Sequence, residues 1–348
     1  MKNPSSLQPA CVAACVLGVL GASGGAARAD DPSISRNRIN IGATFGFNVS
    51  ATIRNHVVAA PAGPIYDDGY VAPDISGSAL KTWNWGFTNP NQVQGGNLDM
   101  HSASSPRDGS QQQFNDDPHP GFDLSYGREL GRFHIGRHAE LPWGVMVGFS
   151  STDLDLRSVN TMSGIVPRQT YPFALGGTVP PLTVPYNGTF AGPGPLISVT
   201  PGALPPPDNV AVSSTLASKI TGLAYGLKIG PFIELPIWDR FYASLGAGIM
   251  GVNADLQFDY TETTSLVAGG GATGGPPATR TATLNHSEWL FGPYATASLA
   301  YRLSETMSVF LGGQYENLGS TTISGAAKDA TVKLGQFLQA TAGIRFTF

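Results

Sequence analysis

Apolar and polar residues alternate with period two in segment after segment of this chain. Ile39, Ile41, Ala43, Phe45, Phe47 and Val49 take turns with Asn40, Gly42, Thr44, Gly46, Asn48 and Ser50. The same alternation runs through 122–126, 143–149, 223–235, 241–249, 289–301, 307–315 and 338–348. A period of two is the signature of a strand with one apolar face, so the pattern predicts eight strands. No long stretch with a helical period competes with them.

The intervals between these segments alternate too. Three are short, at 131–140, 236–240 and 303–306; four are long, at 54–117, 157–213, 261–280 and 318–330. Tight turns at one end and long loops at the other describe an all-β, closed antiparallel up-and-down transmembrane barrel. Its ends fall on the short-turn side, as an even strand number requires. Two further strands hidden in 54–117, near 82–87 and 97–102, would make ten. From Phe291 to Tyr301 is ten residues, about 33 Å of strand, which at a tilt of about 40° rises some 25 Å, the height of a lipid-facing band. Trp143, Tyr225, Trp238, Phe241, Trp289, Phe291, Tyr301 and Tyr315 sit near strand ends, where amphipathic rings favour the headgroup level. A secreted sandwich would also alternate. Its second face would carry Lys and Glu, whereas here that face is mostly Gly, Ser, Thr, Asn and Ala.

The last residues, "TAGIRFTF", place Ala342, Ile344, Phe346 and Phe348 at every second position. In hydrocarbon an unpaired backbone edge costs several kcal/mol per group, so the last strand has to pair with the first. This ending, together with "LAYGLKIGPFIELP", "YASLGAGIM", "GPYATASLAYRL" and "LGGQYENLG", resembles the small bacterial outer-membrane barrels, of the type seen in the transmembrane domain of outer membrane protein A. The resemblance implies an eight-stranded barrel in the outer membrane of a Gram-negative type bacterium. It also implies that Ile344, Phe346 and Phe348 are read by the barrel-insertion machinery. The loops here are longer than is usual for that class, and no peptidoglycan-binding domain follows the barrel. "WNWGFTNPNQ" is similar to segments of other such barrels and brings no activity with it.

Composition fits an exported membrane barrel. Residues 1–29 read as a signal peptide: Lys2, then an apolar core over residues 10–20, then Ala27-Arg28-Ala29 ahead of Asp30. A lipobox reading of Val12-Ala13-Ala14-Cys15 is weakened by the apolar core that continues past Cys15. The single mature domain, 30–348, contains neither cysteine, which excludes disulfides, thiolate metal sites and a cysteine nucleophile. It keeps 18 basic and 24 acidic side chains, a formal charge of −6, which argues against nucleic acid as a partner.

By parity the inward-facing charges are Asp123, Glu129, Lys228, Glu234, Glu288, Arg302, Glu316 and Arg345. They form either an interior network that plugs the barrel or a gated polar path; buried charges must be paired in both. Loop 54–117 carries Asp67, Asp68 and Asp74 beside Tyr66 and Tyr70. These can be a solvated acidic loop or oxygen ligands for calcium, without EF-hand spacing. Trp83, Trp85 and Phe87 share one strand face, available to stack on a sugar or to cap the barrel mouth. Residues 158–213 hold eleven prolines and only two charges, Arg168 and Asp208; proline blocks pairing with a foreign strand. No enzyme is read from the chain. The adjacent pairs His101-Ser102 and His286-Ser287 point to opposite faces of a strand, and no G-x-S-x-G elbow occurs. No cofactor or metal site is expected. The functional expectation is a structural or surface-interaction protein working through its loops. The alternatives are a narrow channel for small or apolar solutes and, third, a membrane-edge lipid hydrolase or acyltransferase.

Overall fold

The computed structural model describes residues 36–56, 65–104, 109–135, 139–181, 183–267 and 277–348. The signal-peptide reading of 1–29 lies outside these residues. Eight strands form the main sheet: β1 (Asn37–Phe47), β2 (His119–Ile135), β3 (Ala139–Ala174), β4 (Asp208–Trp238), β5 (Phe241–Leu266), β6 (Ala278–Arg302), β7 (Met307–Glu316) and β8 (Phe337–Thr347). Each pairs antiparallel with its sequence neighbour, and β8 returns to β1 in register from Arg38↔Thr347 to Phe47↔Leu338. The ring is closed. The segments near 82–87 and 97–102 do form short strands, but none enters the ring, which therefore has eight strands and not ten.

In β1 the inward residues are Arg38, Asn40, Gly42, Thr44 and Gly46; Ile41, Ala43, Phe45 and Phe47 face out and are exposed. This is a globular protein turned inside out, as a lipid solvent requires. Higher up, the phase reverses. Val145, Val147 and Phe149 face out on β3, but higher up Leu154 and Leu156 face in, and Asp153, Asp155 and Arg157 face out. The switch recurs after Leu223 going up β4, where Thr221 and Lys219 face out over buried Ile220 and Leu216. On β5 it falls between Ile249 and Asn253, and on β6 between Trp289 and Ser287. The lower stretch of each strand is built for hydrocarbon and the upper stretch for water.

The upper stretches of β3–β6 make a wall that continues well beyond the apolar band. Residues 208–222 of β4 alone add about 45 Å of strand. Facing the wall is a small sheet of Ser320–Ile323, Lys328–Lys333, Ser50–Asn55 and Gln111–Asn115, paired in that order. Gly319 at φ +83° and Asn48 at φ +64° stand where the chain leaves β7 and β1 for this sheet. Wall and small sheet enclose an apolar core of Leu154, Leu156, Leu216, Ile220, Leu256 and Phe258 against Val49, Ala51, Ile53, Ile323, Ala330 and Val332.

Candidate functional site

The lumen is layered. At the short-turn end, one oxygen of Glu234 accepts from Arg38 and from Arg345, the latter at 2.8 Å. Arg345 Nε donates to Asn40 at 2.6 Å, and Asn40 donates to Ser125 at 2.9 Å. Above it Lys228 Nζ donates to Asp123 at 2.5 Å and to Gln314 at 2.7 Å, while Gln314 donates to Glu316 at 2.5 Å. Next comes an apolar layer of Met250, Val252, Leu318, Leu334 and Phe337, continuous with the extramembrane core. Two small lumen voids, of about 40 and 10 Å³, leave room for a few waters.

Five of the eight charges read as inward lie in these layers: Asp123, Lys228, Glu234, Glu316 and Arg345. Three do not. Glu129 sits at the lower mouth and takes Arg132 Nε at 2.9 Å. Arg302 is exposed there, because β6 ends with it. Glu288 lies above the phase switch, exposed, accepting from Thr321 at 2.6 Å. Phe241 and Tyr301 pack at 4.9 Å on the outer surface near the lower end, where Phe133 stacks on Trp143 and Trp238 meets Phe241 edge-on. Tyr225 with Phe149, Trp289 with Phe291, and Tyr315 face out at the level of the switch.

Beyond the core the loops fold into a head. Asn97–Ala103 pairs with the far end of β3, from Ala103↔Arg168 to Asn97↔Ala174. Trp85–Phe87 pairs with Gly69–Val71 on one side and Tyr186–Asn187 on the other. A second core of Val71, Leu98, Met100, Phe173, Leu175 and Ile197 forms inside. Trp85 and Phe87 belong to that core, 0% and 2% exposed. As contact residues they are a correction: they stack on each other, pack against the tilted Tyr186 ring and cannot reach a ligand. Trp83 is half-buried, its Nε1 donating to the Phe190 carbonyl at 3.4 Å.

The acidic cluster is not solvated either. Asp68 accepts from the His101 amide at 3.0 Å, bonds the His101 ring at 2.6 Å, and receives Arg168 at 3.4 Å. Asp67 accepts from the Ala103 amide at 2.7 Å, and Asp74 caps the turn through Ser76 and Trp83. No group of three metal-ligating side chains occurs among the described residues. Burial pushes the Asp67 carboxyl up to about 6, against the pull of Ala103 and Arg168. In the unfolded chain the group titrates near 3.8. Between these values the folded form holds the extra proton, so the head loses stability as pH rises from about 4 to about 6 and levels off above. Asp67→Asn is expected to flatten that profile and raise stability at pH 7 by up to about 3 kcal/mol. Hydrogen exchange of residues 97–103 against pH measures it.

The two adjacent His-Ser pairs are not brought into bonding geometry. His286 approaches Glu288 at 3.4 Å, while Ser287 faces Asn253 at 3.5 Å.

Ring closure, an apolar exterior below the phase switch and a water-adapted exterior above it define the class: this is a small, closed transmembrane β-barrel of the outer-membrane type. No protein-family model and no curated protein matches the chain. Solved structures similar to it are outer-membrane proteins. The attachment invasion locus protein Ail of Yersinia pestis, in complex with the heparin analogue sucrose octasulfate, is 10% identical at a TM-score of 0.29, over 90% of this chain and 99% of that one. OprG of Pseudomonas aeruginosa is 10% identical at 0.27, over 91% and 97%. The protease OmpT of Escherichia coli is 11% identical at 0.27, over 92% and 99%. They differ in activity, so this likeness does not assign one.

Proposed function

We propose that this protein is a surface-interaction barrel: a closed membrane anchor that holds an ordered head, with few exposed charges, away from the lipopolysaccharide layer. One observation carries the reading. The strands seal the lumen with an apolar core and then continue outward to carry a second, separately packed core. A channel would need a hydrated path through the first of these, and a lipid enzyme would need its catalytic groups at membrane level. The chain is accordingly read as a non-enzyme that uses no cofactor and no nucleic acid.

The partner is an extracellular surface ligand engaged by the exposed face of the head, where Ile75, Leu80, Val179 and Phe190 stand out among prolines and serines. The outward rings at the two levels anchor the barrel in outer-membrane lipid. Ile344, Phe346 and Phe348 serve its closure and its recognition by the insertion machinery. The test compares cells displaying the full chain with cells displaying a variant in which 66–103 and 169–207 are replaced by short turns. Adhesion to glycan and matrix-protein arrays should fall to background with the head removed while surface level stays constant. Unchanged adhesion refutes the reading.

A further inference from the structure

The periplasmic mouth of the barrel contains a cavity of about 210 Å³. Its wall carries Arg36, Arg38, Arg132, Arg302 and Arg345 against Glu129, Glu234 and Glu305, an excess of two positive charges. Two of the acids are already engaged. Glu129 holds Arg132, and a single oxygen of Glu234 serves both Arg38 and Arg345. Among the described residues, Arg36 and Arg302 have no carboxylate within 4.0 Å; Arg302 lies over the Tyr242 ring, 5.8 Å from its centroid. Arg38 is only 5% exposed, packs its guanidinium against Phe232, and has no hydrogen-bond partner for Nε. A buried donor left unmade costs about 1–3 kcal/mol. The main-chain carbonyl of Phe348 is bonded to the Asn37 amide at the rim, outside this wall.

We propose that this cavity is a phosphate site, filled from the periplasmic side, with Arg38 and Arg345 at its floor and Arg36 and Arg302 at its opening. The charge excess matches a dianion, and planar guanidinium forks fit phosphate oxygens two at a time. Free phosphate, a phosphate monoester and a phospholipid headgroup share this chemistry. The proposal depends on the barrel and its orientation and is independent of what the head does.

The experiment titrates inorganic phosphate into the full-length folded protein in a neutral detergent, at constant ionic strength, reading thermal stability and ³¹P line width. Saturable binding is expected. Arg302→Gln should weaken it at least tenfold, and Lys219→Gln, on the outer face of the extramembrane wall, should leave it unchanged. Arg302 is exposed and outside the Glu234 pair, so its variant keeps the buried network, and the heat-dependent gel shift checks folding. A second arm uses bilayers with and without phosphatidylglycerol. An Arg302-dependent gain in stability seen only with that lipid assigns the site to a headgroup. Absence of both effects, or equal binding by Arg302→Gln, overturns the proposal.

Discussion

Leu311→Arg is expected to destabilise the folded protein by about 2–4 kcal/mol, whereas Asn285→Arg on the neighbouring strand shifts it by less than about 0.5 kcal/mol. Both residues point outward from the same barrel wall and both are exposed, Leu311 at 67%. They differ in depth. Leu311 is midway along β7, in a row with Leu299 and Ala342, and faces the hydrocarbon. Asn285 lies above the phase switch, in a row with Gln257, and faces water. A guanidinium in mid-bilayer has to be dragged out of water or bend the lipid toward it; one on the wall does neither. Equilibrium unfolding in lipid vesicles, read by the heat-dependent gel shift, gives both numbers. Equal costs at the two positions would mean that the phase switch is not the membrane boundary.

The second large effect belongs to the core above the membrane. Lys328 and Glu262 are both fully buried, 3.3 Å apart, one from the small sheet and the other from the β5 wall. Lys328 also donates to Asn55 at 2.7 Å, and Glu262 accepts from Ser214 at 3.1 Å. The pair ties the two sides of the sandwich together across a low-dielectric interior. Removing one partner strands the other charge there. Lys328→Met should therefore cost about 3–5 kcal/mol, while Lys328→Met combined with Glu262→Leu should recover most of it. The loss is local: residues 320–333 should become protease-sensitive while the lower ring stays closed. If the double variant were no better than the single one, the cost would lie in packing and not in the uncompensated charge.

The ring itself was legible in the sequence because lipid imposes one rule on every strand. Apolar residues at every second position, such as Phe241 to Ile249, leave little else for the chain to do. What escaped was the upward continuation of the same strands. On β3 the apolar positions move from odd, ending at Phe149, to even, starting at Leu154; on β5 they move from Ile249 to Val252. Read with a single fixed phase, this looks like the end of a strand and the start of a loop, so residues 157–174 and 208–213 read as part of loop 157–213. The signal that would have found them is the phase change itself, at which a strand passes from one solvent to another. Glu288 does keep the inward parity, opposite buried Ala254, but it lies on β6 above the stretch that β7 covers, so its side chain is exposed beside Thr321 and takes no part in the lumen network. The burial of Trp85 and Phe87 had no local signal. Their partner Tyr186 is some hundred residues away, and an exposed aromatic strand and a buried one are written alike.

The most direct measurement of the central claim is single-channel conductance of the refolded protein in a planar bilayer, with folding confirmed by the gel shift. An apolar core from Met250 to Phe258 across the lumen predicts no steady openings above the bare bilayer, at any salt concentration. Reproducible openings would contradict it, and would show that the lumen carries a hydrated path where this account places a seal.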